Sequence, residues 1–481
     1  MRPFRNLAAD VPASFVVFLV AVPLSMGIAL ASGAPIVSGL IAAAVGGLLV
    51  GVLGGAPLQV SGPAAGLAVL VYELVQRHGW PALGAIVVGG GLVQVALGLA
   101  RVARGALAVA PAVVHGMLAG IGLQIALAQL HVLLGGDPQS SAVRNVIELP
   151  RQIAGLHGAA TLLGLTTMAI VVLWPLLAWR PFKRVPAALV GVAVATTLGV
   201  VFRLEVPRVE LPQDVTSAIH LPTLPTDLGS FALSVATVAF VASAESLLCA
   251  VATDRLHDGP RANLDRELFA QGAGNVVSGL LGGLPITGVI VRSTANISAG
   301  ARTRLSTILH GIWVIVATTL LVSVLTKIPL AALAALLVLV GAKLLDPRQF
   351  RPLTKHGELS TFLITFGGVV LINLLVGIAI GIVWTALRLL RRRSRLSVST
   401  EERDGHVHVI AKGALTFLGV PKLTDALAKI PLGRKVDIDL DVEIVDQAAF
   451  EALHSWRENY EKLGGSVDLD HIHTEWQRGT T

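Results

Sequence analysis

Long stretches of this chain carry no Asp, Glu, Lys or Arg. Leu156–Trp179, Leu305–Thr326 and Leu359–Leu387 run for 24, 22 and 29 residues in that way. About 20 apolar residues in a helix cross the hydrocarbon core of a bilayer. Lipid offers no partner to an open backbone, so such segments must be helical. Charged residues make up 14% of the chain, against about 25% in soluble domains. The expected class is a polytopic α-helical membrane protein. The single cysteine, Cys249, excludes an intrachain disulfide. No His/Cys cluster has metal-ligand spacing, and no cofactor is expected. No GxxxxGK[ST] loop occurs, so any uphill work must draw on an ion gradient or exchange. Met1–Asp10 holds two arginines and runs straight into an apolar span, so no cleavable signal peptide is expected. The net charge of +7 fits basic cytoplasmic loops better than a nucleic-acid partner.

The spans read in order as Val11–Ser32 (interrupted by Pro23), Pro35–Gly54, a short third after Gly62-Pro63, Pro81–Ala100, Leu107–Leu134, Leu156–Trp179 and Val185–Phe202. Asp137–Arg151 is polar and reads as an external surface loop or helix, and Arg203–Asp227 as a long loop carrying Glu205, Glu210, Asp214 and Asp227. Then follow Gly229–Thr253, a charged loop Asp254–Glu267, Leu268–Gly283, a short tenth span with Arg292, Leu305–Thr326 and Pro329–Ala342. Leu359–Leu387 is long for one span and short for two. Lys343, Arg348, Arg351 and Lys355 precede it, and Arg388, Arg391, Arg392, Arg393 and Arg395 follow. Both flanks should be cytoplasmic, so the segment is a hairpin turning near Asn373.

The count becomes fourteen. From a cytoplasmic N-terminus (Arg2, Arg5), the earlier even-numbered spans end in Arg101 and Arg104, Arg180, Lys183 and Arg184, Arg255, Arg261 and Arg266, and Arg302 and Arg304. All of these fall on the cytoplasmic side. Seven spans in each repeat, about 1–204 and 229–395, is an odd number, so the halves are inverted.

Two segments break the pattern of full spans. Gly282–Gly300 reads GGLPITGVIVRSTANISAG. Its glycines and Pro285 forbid an ordinary helix at the start. A half-length helix is expected from near Gly288, carrying Val289, Ile290, Val291, Arg292, Ser293 and Thr294. Gly51–Pro57 (GVLGGAP) matches Gly279–Pro285 (GLLGGLP) at five of seven positions, 228 residues apart. After the first copy, Gly62-Pro63 again precedes a short apolar helix. Interrupted segments in matching positions of two halves point to a transporter's binding site. A helix starting inside the bilayer leaves N–H groups and a positive dipole end there, which favours an anion. Arg292 adds a full charge. It either lines that site or is pinned structurally to a nearby carboxylate, and intramembrane charges favour the site.

From Leu396 onward the composition becomes that of a soluble α/β domain of about 80 residues. Val407–Ile410, Val436–Leu440 and Ser466–Leu469 read as strands. Pro421–Ile430 and Ala448–Leu463 read as helices, the second stopped by Gly464-Gly465.

The residues Glu245-Ser-Leu-Leu-Cys249, Asp265-Arg-Glu-Leu-Phe-Ala-Gln271-Gly-Ala-Gly-Asn275, Gly282-Gly-Leu-Pro285-Ile-Thr-Gly288, Arg292-Ser-Thr-Ala-Asn296 and Gly300-Ala-Arg302-Thr303 resemble the SulP family of sulfate permeases and related anion transporters. Ser61-Gly-Pro63-Ala-Ala65 is similar to that family's motif in its third span, and 396–481 resembles a STAS domain. The resemblance covers nearly the whole chain. It implies fourteen spans in two inverted repeats (1–395), split into a core and a gate domain that move elevator-fashion, in a homodimer of the plasma (inner) membrane. The N-terminus and the STAS-like domain are then cytoplasmic. It also implies a substrate anion between the third and tenth half-helices, at Ser61, Gly62, Ala64, Ala65, Gly288, Val289, Ile290, Val291 and Arg292. Glu245 stands where prokaryotic members bind sodium or a proton, with Cys249 one turn on and Gly288 nearby. Cys249 replaces a hydroxyl residue common in sodium-coupled relatives, which weakens sodium (Na+) as the coupling ion. Glu245 could instead be a structural partner of Arg292.

Other departures bear on the expectation. Leu24 follows Pro23 where the family often has glutamine, removing a polar contact. Asp446-Gln-Ala-Ala449 lacks the Ser or Thr of a phospho-switched STAS domain. The tail Asp470–His473 and the first span resemble a bacterial branch often linked with carbonic anhydrases. This implies bicarbonate as the small inorganic anion. A tail metal site at His471 and His473 is a weak alternative to solvated side chains. Sulfate or dicarboxylate symport with protons, and an anion channel or exchanger, are the competing expectations. An enzyme has little support: His115, His131 and His310 are isolated.

Overall fold

A computed structural model describes residues 6–103, 111–137, 142–155, 158–177, 185–212, 222–225, 227–345, 358–393, 396–403, 406–415, 419–445 and 447–469. Arg2, Arg5, Arg104, Trp179, Arg180, Lys183, Arg184, Asp214, Arg348, Arg351, Lys355, Arg395, Asp446, Asp470, His471 and His473 lie outside the described residues. The chain divides into two compact units, Met1–Ile382 and Val383–Thr481.

The first unit is helical apart from two three-residue strands. Its elements are α1 (Leu7–Ala31), α2 (Ile36–Leu53, with a π-helical turn at Gly46–Val50), β1 (Ser61–Pro63), α3 (Ala65–His78), α4 (Trp80–Leu99), α5 (Pro111–Leu133), α6 (Ala142–Ala154), α7 (Gly158–Leu177), α8 (Ala187–Val201) and α9 (Leu228–Asp254). They continue with α10 (Leu264–Leu280), β2 (Ile286–Gly288), α11 (Ile290–Ser298), α12 (Leu305–Leu320), α13 (Val322–Leu325), α14 (Leu330–Leu344), α15 (Leu359–Leu371) and α16 (Leu374–Arg393), whose residues from Val383 on belong to the second unit. Among the described residues six helices, α1, α2, α4, α5, α7 and α9, are long and apolar enough to cross a membrane, and five shorter apolar helices accompany them.

Local chemistry sets the boundaries. Asp227 caps α9, its Oδ1 accepting from Gly229 N and Ser230 N, a device worth about 1 kcal/mol. Within the polar segment 137–151, the residues from Ala142 on belong to helix α6. Asn373 marks the hairpin turn between α15 and α16, its Oδ1 accepting from Val376 N at 2.8 Å. Pro23 does not interrupt α1.

The charged loop expected over Asp254–Glu267 is shorter than the sequence suggests. Asn263 caps α10 by accepting from Arg266 N, so the helix starts at Leu264 and takes Asp265 and Glu267 into its first turn. Carboxylates are favoured at that positive end.

Close backbone packing ties the bundle together. Gly84 and Gly91 of α4 meet Gly279 and Gly272 of α10. A Cβ on Gly91 or on Gly272 would stand 2.6 Å from the other's carbonyl oxygen. Small residues at such contacts replace the hydrophobic drive that lipid does not supply between helices. Beside this seam Asn275 Nδ2 donates to Gln94 Oε1, and Gln94 Nε2 donates to Ser243 Oγ.

The second unit holds a four-stranded sheet in the order β3 (Leu396–Arg403), β4 (His406–Leu415), β5 (Lys435–Val445), β6 (Ser466–Leu469). The first pairing is antiparallel and the other two are parallel. Helices α17 (Val420–Leu427) and α18 (Gln447–Lys462) pack with Val409, Ala411, Val436 and Ile438 in one core. Strand β3 was not expected from the sequence. Its alternation is carried by Ser, Thr and Glu rather than by apolar residues.

Candidate functional site

The two broken segments meet. Strands β1 and β2 pair antiparallel, with Ser61 opposite Gly288, Gly62 opposite Thr287 and Pro63 opposite Ile286. Each strand runs directly into a short helix. Both helices begin two residues later than expected, at Ala65 instead of Pro63 and at Ile290 instead of Gly288. The ladder explains the delay: it holds the preceding residues extended, and Ala64 (ψ 139°) and Val289 (ψ 108°) remain extended as N-caps. Neither cap residue has a side-chain hydrogen bond to the first turn. Two helix N-termini therefore leave the short ladder from its opposite ends, with N–H groups that neither cap side chain satisfies.

Arg292 is fully buried. Its Nη2 donates to Ser25 Oγ of α1 at 3.1 Å and to the Pro63 carbonyl at 3.2 Å. Among the described residues its Nε and Nη1 have no partner. Gly62 admits the guanidinium, because a Cβ there would collide with Nη1. Among the described residues Arg292 makes no ion pair with Glu245 or with any other carboxylate, so the structural pairing considered from sequence is absent. A buried guanidinium normally has its donors satisfied. The three N–H donors on Nε and Nη1, set at the ladder between two helix starts, can hydrogen-bond a negative solute.

The other expected residues are distributed around this point. Ser61, Gly62, Ala64 and Gly288 are buried, and Ala65 and Val289 are partly so. Ile290 and Val291 are exposed at 39% and 38%, with their backbones in the first turn of α11. Glu245 of α9 is half-buried beside the start of α3. Its Oε1 lies 2.6 Å from where a Cβ on Gly66 would stand, Oε2 has no hydrogen-bond partner, and Thr287 faces the carboxylate. Cys249 is buried one turn on, its Sγ 3.8 Å from Thr253 Oγ1 and 3.9 Å from Ser293 Oγ. Gly288 N donates to Ser246 Oγ at 3.2 Å.

Several polar residues that frame the site were given no role from the sequence, although Glu267, Gln271 and Asn275 stand in the quoted motif. Glu267 of α10 is buried and accepts from Gly55 N, Ala56 N, Gln59 Nε2 and Gln271 Nε2 at 2.8–2.9 Å. Gln271 Nε2 also donates to Ser61 Oγ at 2.7 Å. Asn275 grips β2 from both sides, its Nδ2 donating to Ile286 O and its Oδ1 accepting from Ile286 N. Helix α10 is thus bolted to β1, to β2 and to the 55–59 loop. Asp10 of α1 accepts from Arg302 N and Thr303 N, tying α1 to the segment after α11. His131 is a structural residue whose Nε2 donates to the Asn145 carbonyl.

The sulfate permease family model matches residues 7–368. The chain belongs to this family. Its relatives include the bicarbonate transporter BicA of Synechocystis sp., 28% identical over 407 residues that cover 82% of this chain and 71% of the relative. The solved transmembrane domain of a cyanobacterial BicA superposes with a TM-score of 0.66 at 26% identity, over 79% of this chain and 98% of that one. The murine Slc26a9 anion transporter, solved in its inward-facing state, superposes over 100% of this chain and 88% of its own with a TM-score of 0.83. At 18% identity that likeness is one of fold. The protein is a multi-pass membrane anion transporter of the sulfate permease family and not an enzyme.

Proposed function

We propose that this protein is a secondary active transporter of a small inorganic anion, bicarbonate foremost, coupled to Na+ or H+. The carrying observation is the buried Arg292, its Nε and Nη1 unpartnered among the described residues, at the ladder between two uncapped helix starts. The anion is held by Arg292 and by the backbone at Ser61, Gly62, Ala64, Ala65 and Gly288–Arg292. Glu245, with Cys249 and Gly288 close by, seats the coupling cation. The named bicarbonate transporters among the relatives favour bicarbonate. The family's own description favours sulfate, so proton-coupled sulfate or dicarboxylate symport on the same site is the second reading.

Fourteen spans in two inverted seven-span repeats account for the site's symmetry: one half supplies β1 and α3, the other β2 and α11, and the strands run antiparallel. The site travels as one block in an elevator-like motion, because α10 fastens both strands through Gln271 and Asn275. The C-terminal α/β unit serves as a cytoplasmic STAS-like dimerisation domain of a homodimer in the plasma membrane. A bicarbonate substrate would link the protein functionally with a carbonic anhydrase.

The test is uptake of labelled bicarbonate and sulfate into proteoliposomes, with and without a sodium gradient and a proton gradient. Saturable, gradient-driven accumulation of bicarbonate supports the first reading. Accumulation of sulfate alone, driven by protons, moves the assignment to the second. Single-channel currents in place of saturable flux would refute both.

A further inference from the structure

Helix α6 (Ala142–Ala154) has three faces. Ala142 and Asn145 are buried, and Leu149 packs with Leu133, Leu134 and Met168 between α5 and α7. Arg144, Glu148 and Arg151 share a second face, with Glu148 and Arg151 3.7 Å apart. Val143, Val146, Ile147, Pro150, Ile153 and Ala154 form the third. They recur at i, i+3, i+4, i+7, i+10 and i+11, the spacing of one helical stripe. All six are exposed, Val143, Val146, Ile147 and Ile153 by 43–67%. On the helical period the stripe spans about 120° and lies between the buried face and the charged one. A contiguous apolar surface of this kind meets a partner.

The position of the helix decides which partner. In the last turn of α5, His131 Nε2 donates to the Asn145 carbonyl at 2.8 Å, and beyond α5, Gly136 packs on the Gln152 side chain. A helix folded back along α5 would instead bring Gln152 to the level of about Gln124. Helix α6 therefore crosses the end of α5 obliquely. Its first residues share a cavity wall with Leu30 and Ala31 at the end of α1 and with Leu371 at the end of α15. Three apolar helices end here, and α7 begins at Gly158, just after α6. The ends of apolar helices mark the height at which a bilayer gives way to water. The exterior of α7 is apolar from its first turns, with Leu162 and Leu165 exposed.

We infer that α6 is an interfacial helix that binds phospholipid. Val143, Val146, Ile147 and Ile153 enter the boundary between acyl chains and headgroups, while Arg144, Glu148 and Arg151 face headgroups and water. A second copy of the chain suits the stripe less well. A strip about 20 Å long and 10 Å wide offers roughly 200 Å², against about 800 Å² per partner in a stable interface.

Spin labelling of the full-length protein in vesicles of phosphatidylcholine and phosphatidylglycerol tests this. V146C, I147C and I153C place a nitroxide on the stripe, and R151C places one on the charged face. The native Cys249 is buried, and unsubstituted protein measures any label it takes. Collisions with oxygen, which concentrates in lipid, are compared with collisions with a water-soluble nickel chelate. The oxygen-to-nickel ratio should be at least about threefold higher on the stripe than at R151C. Equal ratios overturn the inference, because the stripe then has the same surroundings as the charged face. Stripe labels that broaden one another's spectra, and sharpen when the protein is diluted with unlabelled copies, overturn it in favour of a second copy. Three stripe positions keep the outcome decidable if one variant does not fold.

Discussion

Gly62 has no room for a side chain because the Arg292 guanidinium occupies the place a Cβ would take. The two residues come from opposite halves of the chain, 230 positions apart, and they fix the spacing between β1 and the first turn of α11. A G62A substitution must push either the strand or the guanidinium aside. It is expected to cut anion uptake at least tenfold with the protein still expressed and monodisperse, as measured in proteoliposomes and by size-exclusion chromatography. Normal uptake by G62A would show that the contact is not needed.

Arg292 is expected to trade stability for function. It is buried with only two of its donors' positions satisfied by Ser25 and Pro63, so the fold carries an uncompensated charge. Replacement by methionine should leave thermal stability unchanged or raised. Hydrogen bonds to charged groups contribute about 1.5–3 kcal/mol, so anion binding in the same variant should weaken by roughly 10- to 150-fold. A thermal melt and a binding titration on one preparation separate the two effects. A large loss of thermal stability would make Arg292 a structural residue.

Glu267 should behave in the opposite way. It holds two backbone N–H groups and two carboxamides in a buried cluster. E267A orphans these donors, at about 1–3 kcal/mol each for those that water cannot reach, and should lower the melting temperature clearly. E267Q, which keeps one acceptor oxygen, should lower it less. Equal melting temperatures for wild type and E267A would mean that the clamp contributes nothing.

For Glu245 the expected change lies in coupling. E245Q should bind the anion yet lose gradient-driven accumulation, because the carboxylate sits beside the start of α3 and away from any ion-pair partner. Uptake assays under sodium and proton gradients decide it: an unchanged ion dependence would take Glu245 out of the coupling role.

What the sequence made legible follows from rarity. Arginine inside an apolar half-span is unusual enough to mark a site, and the repeated Gly/Pro breaks at Gly51–Pro57 and Gly279–Pro285 pointed to its counterpart. The hairpin at Asn373 followed from basic residues on both flanks. Glu267 was hidden because Asp254, Arg261, Asp265 and Arg266 make its neighbourhood read as a solvated loop. The signal that could have found it is Asn263 followed by two carboxylates, which is a helix start. The three-residue strands β1 and β2 could not be seen at all. Their pairing is a tertiary event between Ser61-Gly-Pro63 and Ile286-Thr-Gly288, segments too short for any alternation to show, of which only Ile286 and Thr287 favour strands.

The account stands on a negative solute resting against Arg292 between the starts of α3 and α11. Its most direct test is a structure of the protein in nanodiscs with the transported anion, using selenate in place of sulfate in a second data set. Density within hydrogen-bond distance of Arg292 Nε or Nη1 and of the backbone at Gly288–Arg292 is the predicted result. An anion bound elsewhere in the bundle, with Arg292 still closed on Ser25 and Pro63 alone, would contradict it.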